Sequence, residues 1–353
     1  MHSNAPQICS LSTAVPANIL DQSAVADHAT NIFSSRFTEF GKLRQVFENC
    51  GIETRHSVRP VDWYLGKHDW TDRTEVYLEA ATELFIEAAR KAMDQAGVTG
   101  ADIGTVVTVS STGIATPSLE ALAAKRLGFS PDISRVPIFG LGCAGGVTGL
   151  SVAARLAKAC PGKHVLLVVV ELCTLAVRLD KATKANIVAV ALFGDGAAAA
   201  VIKAGGEDGL ATIERGVEHS WPNTLDIMGW SVDPEGFGVI FDRSIPSFAA
   251  DNLAPALRHI CELYGVDQRE IGRFICHPGG AKVIEAIESA LMLQTGTLDD
   301  ERAVLSQYGN MSAPTALFVL DRVMCAGLPE RSMLMALGPG FTLSTAMLTR
   351  RAA

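Results

Sequence analysis

The sequence predicts an α/β protein in which helices alternate with buried strands. Residues 163–173 form a continuous apolar run rich in β-branched side chains, the pattern of a strand covered on both faces. Residues 74–96 repeat apolar side chains at helical spacing, and Gly97 follows them as a stop signal. Segments of both kinds alternate along the chain, which indicates helices layered around central sheets.

The remaining elements follow from local signals in chain order. A β-rich run at 106–111 ends in Ser-Thr-Gly, and Pro117 then opens a helix predicted over 118–127, before Gly128. A loop containing Asn310 precedes another helix. Further strands are predicted over 136–139, 197–202, 274–276, 333–337 and 342–348, and further helices over 147–158 and 312–326.

A weak internal repeat relates the two parts of the chain. The turn 194–196 leads into the strand 197–202, as the turn 338–340 leads into the strand 342–348. Likewise, 106–113 and 274–280 are each a strand that runs into a glycine turn. We therefore predict a duplication with an N-terminal half at 1–210, which carries the candidate nucleophile, and a C-terminal half at 211–353.

Composition narrows the class of protein. The chain has 353 residues, 48% of them hydrophobic and 19% charged, with a net charge of -8 and no basic block. Nucleic acid and anionic membranes are therefore poor partners. The apolar run 164–170 is far shorter than the roughly 20 residues that span a bilayer, and we expect neither a membrane span nor a signal peptide. Eight scattered cysteines without C-x-x-C pairs favour a cytoplasmic protein without a metal site.

The strongest chemical candidate is Cys143, in the segment Gly-Cys-Ala-Gly-Gly at 142–146. A predicted strand precedes it and a predicted helix follows, so the thiol is expected at a helix N-terminus. Helix dipoles favour thiolates there, so we expect a lowered pKa and a nucleophilic sulfur. Phosphate-binding signatures of the Gly-Lys-Ser/Thr or GxGxxG kind are absent from the segment. By itself, the residue is equally compatible with a small buried hydrophobe.

Two further residues complete a reactive set. His277 follows the predicted strand 274–276 and precedes Pro-Gly-Gly, and Asn310 lies in the loop before the helix at 312–326. Taken singly, each is compatible with an ordinary turn residue. Together with Cys143 they provide a nucleophile, an imidazole and an amide donor. The imidazole and the amide can hold a developing oxyanion or enolate, and each such donor is typically worth roughly a hundred- to a thousandfold in rate.

Five segments together resemble the type III polyketide synthases, the chalcone and stilbene synthase-like family, in its bacterial form. They occur in order, at family-like spacing, over nearly the whole chain. The resemblance implies a thiolase-like fold, a duplicated αβαβα sandwich that works as a homodimer. The segments are Gly142-Cys143, Ala-Leu-Phe-Gly-Asp-Gly-Ala at 191–197, Cys-His-Pro-Gly-Gly at 276–280, Gly-Asn-Met-Ser at 309–312 and Leu-Gly-Pro-Gly-Phe-Thr at 337–342.

The resemblance also implies roles for individual residues. Cys143 would carry the starter and the growing acyl chain as a thioester, while His277 and Asn310 would promote decarboxylation of malonyl-CoA and hold the enolate. Phe193 and Phe241 match two gating aromatics, with core packing as the alternative for both. Further substrate-binding positions are Ser312 in the cavity wall, Gly279 and Gly280 in the exposed turn, and Arg55 near the CoA phosphates, where a solvated surface arginine is the alternative.

Departures from the plant enzymes fall in the expected cavity. Cys173 and Ala176 stand where plant chalcone synthases carry threonines, Thr112 belongs to another wall, and Thr116 replaces a methionine that reaches into the partner subunit. Val232 stands where those enzymes have a glycine. The smaller Ala176 and Thr116 are expected to open room for an aliphatic chain, whereas Val232 is expected to narrow the cavity. A flavonoid product is therefore not expected.

The predicted reaction is repeated decarboxylative Claisen condensation of an acyl-CoA starter with malonyl-CoA, without a further cofactor. Two or three rounds, followed by cyclisation, would give a pyrone or a resorcinol- or phloroglucinol-type ring. One alternative is an initiating β-ketoacyl synthase (KAS III-like) of fatty acid synthesis, whose histidine is normally followed by Gln and Asn rather than Pro278 and Gly279. A papain-type protease lacks support because no aromatic follows Cys143, and a non-catalytic relative would have lost part of the trio.

Overall fold

A nine-stranded sheet forms the centre of the computed structural model, which describes residues 4–35, 40–206 and 209–350. Its strand order is β11-β12-β13-β8-β1-β7-β6-β4-β5, and two separate pairs, β2–β3 and β9–β10, lie outside it. The strands are β1 (Pro6–Ala14), β2 (Asn18–Asp21), β3 (Thr54–Ser57), β4 (Ile103–Val109), β5 (Ser134–Ile138), β6 (His164–Leu172), β7 (Asp195–Ala204), β8 (Ala211–Ser220), β9 (Met228–Asp233), β10 (Gly236–Phe241), β11 (Arg273–Cys276), β12 (Arg331–Gly338) and β13 (Thr342–Thr349).

The helices alternate with these strands as the sequence predicts. No described helix has the length and apolar character needed to cross a membrane. The helices are α1 (Gln22–Phe33), α2 (Phe40–Asn49), α3 (Val61–Leu65), α4 (Trp70–Ala96), α5 (Leu119–Leu127), α6 (Gly145–Ala159), α7 (Lys184–Leu192), α8 (Ile245–Tyr264), α9 (Ala281–Ala290), α10 (Asp299–Tyr308) and α11 (Thr315–Ala326).

The internal repeat is visible in the strand directions. In the N-terminal half, β1 pairs antiparallel with β7, β7 antiparallel with β6, and β6 parallel with β4. In the C-terminal half, β8, β13, β12 and β11 repeat the same sequence of directions. The predicted strands 197–202 and 342–348 lie in the equivalent strands β7 and β13. The halves join through two residue pairs between β1 and β8, Gln7–Thr212 and Ile8–Ala211. The boundary at residue 210 stays a prediction.

The helices form layers on both sides of each half-sheet. Helices α6 and α11 pack on each other and contact strands of both halves, so they form the middle layer. A Cβ at Gly146 would lie only 2.3 Å from the Ala313 carbonyl oxygen, and glycine therefore permits the close approach of α6 to the turn that leads into α11. Helix α4 packs on β1, β6 and β7, and α8 packs on β8 and α9. The result is the predicted αβαβα sandwich.

Two predicted helix starts differ from the structure. The helix expected from Thr74 begins at Trp70, because the Asp69 side chain accepts a hydrogen bond from the Asp72 N–H and caps it earlier. The helix expected from Ser312 begins at Thr315, because Ser312 has a φ of 61° and lies in a turn before the helix. This turn belongs to the candidate site.

Candidate active site

Cys143 lies in a short 3-10 turn, Gly142–Ala144, which leads directly into α6. The preceding Gly142 has a φ of 46°, and a Cβ there would lie 2.7 Å from Cδ of Pro339. Only glycine fits this combination of positive φ and close approach. The turn that carries the thiol therefore packs directly against the turn between β12 and β13, and the two glycine-rich motifs meet in space.

His277 directly follows β11 and is buried at 5% exposure. Its backbone N–H donates to the Met335 carbonyl at 2.9 Å, which extends the pairing of β11 with β12 by one residue. Neither ring nitrogen has a hydrogen-bond partner in the described part of the chain. Burial lowers the pKa of His277 to about 4, so the ring is neutral near pH 7 and offers one N–H donor and one acceptor.

Asn310 is fixed through both its backbone and its side chain. Its N–H donates to the Leu192 carbonyl at 2.8 Å, and its carbonyl accepts from the Gly194 N–H at 3.1 Å. Nδ2 donates to the Gly279 carbonyl at 3.2 Å, and Oδ1 accepts from the Ser312 N–H at 2.8 Å. One of the two Nδ2 hydrogens is thus used for orientation, which leaves the other available to a ligand.

Cys143, His277 and Asn310 all face one narrow cavity of about 30 Å³. The other lining residues are almost entirely apolar: Met228, Phe241, Ile245, Gly279, Val283, Ile287, Met335, Ala336 and Leu337. A neutral imidazole and a carboxamide that converge beside a thiol in an apolar cavity can stabilise a negative oxygen there more effectively than in water.

A larger cavity of about 390 Å³ adjoins the first and shares Phe241, Ile245, Gly279 and Val283 with it. Three exposed basic side chains stand around it: Lys184, Arg243 and Lys282. Asp242 is the acidic residue of the same lining. Such a basic rim suits the phosphates of an anionic substrate, in a protein whose net charge is -8. Sequence reasoning missed this set, because the three cations come from separate segments.

The expectation of a thiol with a lowered pKa is wrong. Enclosure raises the pKa of Cys143 to about 11, and the hydrogen bond with Ser312 opposes this only in part. The buried Glu171 nearby acts in the same direction as enclosure. A neutral thiol therefore faces a neutral His277 in this cavity.

A buried polar network behind the thiol also escaped the sequence prediction. Both Glu171 oxygens accept from the Ser111 N–H at 3.0 Å, and one also accepts from the Thr112 hydroxyl at 2.8 Å. The Ser111 hydroxyl accepts from the N–H groups of Gly140 and Gly142, the residues that lead into Cys143. Burial raises the pKa of Glu171 to about 8. This carboxyl group therefore helps to hold the turn of the nucleophile.

Comparison with known proteins agrees with this geometry. The family model for the N-terminal domain of chalcone and stilbene synthases matches residues 2–206, and that for the C-terminal domain matches residues 213–351. The chain belongs to the chalcone and stilbene synthase family. It is thus a type III polyketide synthase, a condensing enzyme that transfers acyl groups.

Relatives with curated names include bacterial members of this family. A 1,3,6,8-tetrahydroxynaphthalene synthase of Streptomyces peucetius subsp. caesius is 36% identical, over 97% of this chain and 92% of its own length. A putative chalcone synthase of Bacillus subtilis is 34% identical, over 95% and 96%. Among solved structures, the tetrahydroxynaphthalene synthase of Streptomyces coelicolor A3(2), a bacterial type III polyketide synthase, superposes with a TM-score of 0.93 at 28% identity, over 98% of this chain and all of that chain.

Several other residues expected in the polyketide synthase cavity are buried or half-buried. Phe241 is half-buried and lines both cavities, and Gly279 and Gly280 line the larger one. Phe193 is buried, and its ring meets Trp230 edge to face at 6.1 Å. Cys173 and Ala176 are buried in a 3-10 turn, and the Thr112 hydroxyl is engaged by Glu171 and the Leu172 N–H. Their roles toward substrate stay predictions.

Two expectations need correction, and a third is not decided by the single chain. Arg55 cannot meet CoA phosphates, because its guanidinium is buried and donates to the Phe193 carbonyl at 3.1 Å and to Oε1 of Gln22 at 2.8 Å. Val232 does not narrow the cavity of this chain, because it is 70% exposed on the hairpin formed by β9 and β10. Thr116 is exposed in the single chain, and its role toward the cavity of a partner subunit stays a prediction.

Proposed function

We propose that this type III polyketide synthase loads an aliphatic acyl-CoA starter onto Cys143 and extends it with malonyl-CoA. The observation that carries the proposal is the convergence of the thiol, His277 and Asn310 on an apolar cavity beside a larger, basic-rimmed one. The basic rim would receive the CoA phosphates, and the narrow cavity would receive the acyl group. Its mostly apolar lining favours an alkyl starter over a polar one.

Loading requires the thiol to lose its proton as the thioester carbonyl is attacked. The neutral His277 can accept this proton, because one of its ring nitrogens is a free acceptor. The Cys143 sulfur then forms the new thioester, and the departing CoA thiolate takes the proton back from the imidazolium. The enzyme thus returns to a neutral imidazole before malonyl-CoA binds.

Unlike loading, extension requires no proton transfer to a base, and it depends on stabilisation of a negatively charged enolate oxygen. Loss of carbon dioxide from malonyl-CoA leaves an enolate, whose oxygen accepts from the N–H of His277 and the free Nδ2 hydrogen of Asn310. The enolate carbon attacks the acyl thioester, and the Cys143 sulfur leaves. The extended chain is now on CoA and can return to the thiol for another round. Cyclisation after two or three rounds would give a pyrone or a resorcinol- or phloroglucinol-type ring.

Relatives include enzymes named for both fused-ring and pyrone products. One is the tetrahydroxynaphthalene synthase, and another is an α-pyrone synthesis polyketide synthase-like protein of Mycobacterium tuberculosis, 28% identical over 94% of this chain and 88% of its own length. Both product types are therefore compatible with this chain length and fold. The mostly apolar lining is our reason to favour an alkyl-substituted ring.

We also propose a homodimer in the cytoplasm. Ile114 and Phe139 are more than half exposed and border one crevice at the edge of the sheet formed by β5. Exposed apolar patches of this kind mark protein interfaces. Seven of the eight cysteines, among them Cys143 and Cys325, are free thiols, which suits a reducing compartment. Light scattering on the purified protein would test the dimer.

The function is tested with purified protein, malonyl-CoA and a ladder of acyl-CoA starters from short to long, plus aromatic ones, with products read by mass spectrometry. Cys143→Ala serves as the inactive variant, and Cys325→Ala, at an exposed cysteine, as its matched control. We expect multiply extended alkyl products from the wild type and Cys325→Ala, and none from Cys143→Ala.

Other results would redirect the assignment. Products from malonyl-CoA alone, with acyl-CoA starters ignored, would overturn the alkyl starter. A single extension that depends on malonyl-carrier protein would point instead to an initiating β-ketoacyl synthase. Extended product from Cys143→Ala would refute the covalent mechanism.

A further inference from the structure

The hairpin formed by β9 and β10 supplies one wall of the narrow cavity. Its two strands pair with each other and with no other described strand. At its base, Met228 pairs with Phe241, and both side chains line the cavity beside Cys143. The position of the hairpin therefore sets part of the space available to an acyl chain, and contacts outside the main sheet must fix that position.

Aromatic contacts fix the middle of the hairpin. Nε1 of Trp230 donates to the Ser111 carbonyl at 2.9 Å, and the Trp230 ring contacts Phe193 and Phe237. Phe237 in turn meets Trp70 edge to face at 5.0 Å. Ser111 is the residue whose hydroxyl holds the turn before Cys143. Ser111 thus forms hydrogen bonds both to the hairpin and to the turn that carries Cys143.

Charged contacts fix the tip, where Asp233 pairs with Gly236. One Asp233 oxygen accepts from Nη1 of Arg178 at 2.8 Å, and the other forms an ion pair with Lys181. Arg178 also makes a bidentate pair with Asp180, with its Nε donating at 2.8 Å and its Nη2 at 2.5 Å. We call Arg178, Asp180, Lys181 and Asp233 the tip clamp.

The tip clamp differs from an ordinary surface ion pair. The Arg178 side chain is only 2% exposed and that of Asp233 is 23% exposed, so water screens their contact less than that of a fully exposed pair. Arg178 and Lys181 lie just beyond the 3-10 turn that contains Cys173 and Ala176. The clamp therefore ties the hairpin to the segment that carries other predicted cavity residues.

We propose that the tip clamp is a specificity-determining device, in which Arg178 and Asp233 are positioning residues that limit the number of extensions. The inference rests on the proposed polyketide function. Asp233 and Met228, at the two ends of β9, are five residue steps apart, which corresponds to roughly 17 Å at about 3.4 Å per residue. The clamp therefore acts on the cavity through the hairpin and does not touch the substrate. Releasing the tip lets Met228 and Phe241 move outward, and the enlarged cavity then accepts a longer chain.

Asp233→Asn is the best test, because it keeps the shape of the side chain and removes its charge. Arg178 retains its bidentate contact with Asp180 in this variant, so no buried cation is left unpaired. Asp233→Glu restores the charge. Glu83→Gln is the matched control, because Glu83 makes a bidentate pair with Arg126 between α4 and α5, far along the chain from the hairpin.

Two measurements are made on each full-length variant. Hydrogen exchange read by mass spectrometry reports the protection of residues 228–241, and product analysis with one acyl-CoA starter reports the ratio of more extended to less extended products. In Asp233→Asn we expect faster exchange in the hairpin and a ratio raised by about threefold or more, since groups in one ionic network are strongly coupled. Asp233→Glu should return toward wild type, and Glu83→Gln should match it.

Faster exchange with an unchanged product ratio would overturn the proposal and leave the clamp a purely structural feature. Unchanged exchange in the hairpin would overturn it as well, because the clamp would then not fix the hairpin. A wild type without any extended product would refute the proposed function instead, and the exchange measurement would still show whether the clamp holds the hairpin.

Discussion

The two halves of the chain repeat one strand pattern but use the equivalent strand ends differently. After β4, in the N-terminal half, Ser111 uses its N–H, its hydroxyl and its carbonyl in hydrogen bonds to Glu171, to the turn before Cys143 and to Trp230. After β11, in the C-terminal half, His277 keeps both ring nitrogens without a partner among the described residues. One copy of the motif supports the nucleophile, and the other leaves polar atoms for the substrate.

The loops before α6 and α11 extend this comparison. The N-terminal loop presents Cys143 and the C-terminal loop presents Asn310, each at the start of a helix of the middle layer. The same position in the repeat thus provides a nucleophile in one half and an oxyanion donor in the other. A duplicated fold can therefore assemble a two-sided site from one type of turn, provided that the two copies diverge in the side chains that they present.

Removal of the His277 imidazole, whose ring nitrogens have no partner among the described residues, should have the largest effect on activity. We expect His277→Ala to lower kcat by roughly 100- to 1000-fold, because a donor to the enolate is lost, while circular dichroism stays unchanged. The matched control is His259→Ala, in the same half but exposed on α8, and it should retain activity. An active His277→Ala would mean that the unpartnered ring is not part of the chemistry.

The state of the thiol can be measured directly. Because enclosure raises the pKa of Cys143 to about 11, its alkylation by iodoacetamide should speed up about tenfold per pH unit, or about 100-fold from pH 7 to pH 9. Mass spectrometry separates its adduct from that of the exposed Cys325. A rate that is flat from pH 6 to pH 9 would instead indicate a preformed thiolate beside a protonated His277.

The same substitution in each half should have unequal effects on stability. Ser111→Ala removes the acceptor of two N–H groups, and we expect the free energy of unfolding to fall by about 1–3 kcal/mol in urea denaturation. Ser332→Ala, in β12, removes a buried hydroxyl that has no hydrogen-bond partner in the described residues, so its effect should be near zero. Equal losses would show that the Ser111 network contributes nothing specific.

A pH dependence of stability is also expected in the N-terminal half. Burial raises the pKa of Glu171 to about 8 from an ordinary 4.5, so folding takes up a proton between these values. Its contribution to stability is complete below pH 4.5, falls as pH rises by about 1 kcal/mol per pH unit, and levels off above pH 8. The difference between wild type and Glu171→Gln in urea denaturation from pH 5 to pH 8 should show this slope. A difference that does not vary with pH would refute the assigned protonation.

Much of the fold was predictable because the strands of the main sheet are buried on both faces. Continuous apolar runs predicted β6, β7 and β13 within a few residues, and glycine turns revealed the repeat. The hairpin of β9 and β10 was missed, because it lies outside the main sheet and its residues are mostly exposed or half-buried. Its apolar positions therefore lack the continuity that marked the central strands.

The candidate site was predictable where a motif held the side chain and unpredictable where distant contacts did. Cys143, His277 and Asn310 each follow a local turn signal. Arg55 looked like a surface cation, but its partners Gln22 and Phe193 are 33 and 138 residues away in sequence. The raised pKa of Cys143 likewise depends on the enclosing walls, which a local helix-terminus argument does not include.

The position of β13 has a consequence for synthesis on the ribosome. This strand follows all the other strands in chain order, yet it lies inside the sheet between β12 and β8. The turn before it, which contains Pro339, also packs against the turn of the nucleophile. The central sheet and the wall beside Cys143 therefore stay incomplete until residues beyond 340 have left the exit tunnel. After Cys143 has been synthesised, some 200 further residues must be added before the site is complete. Acylation of the thiol is therefore delayed until both halves have been made.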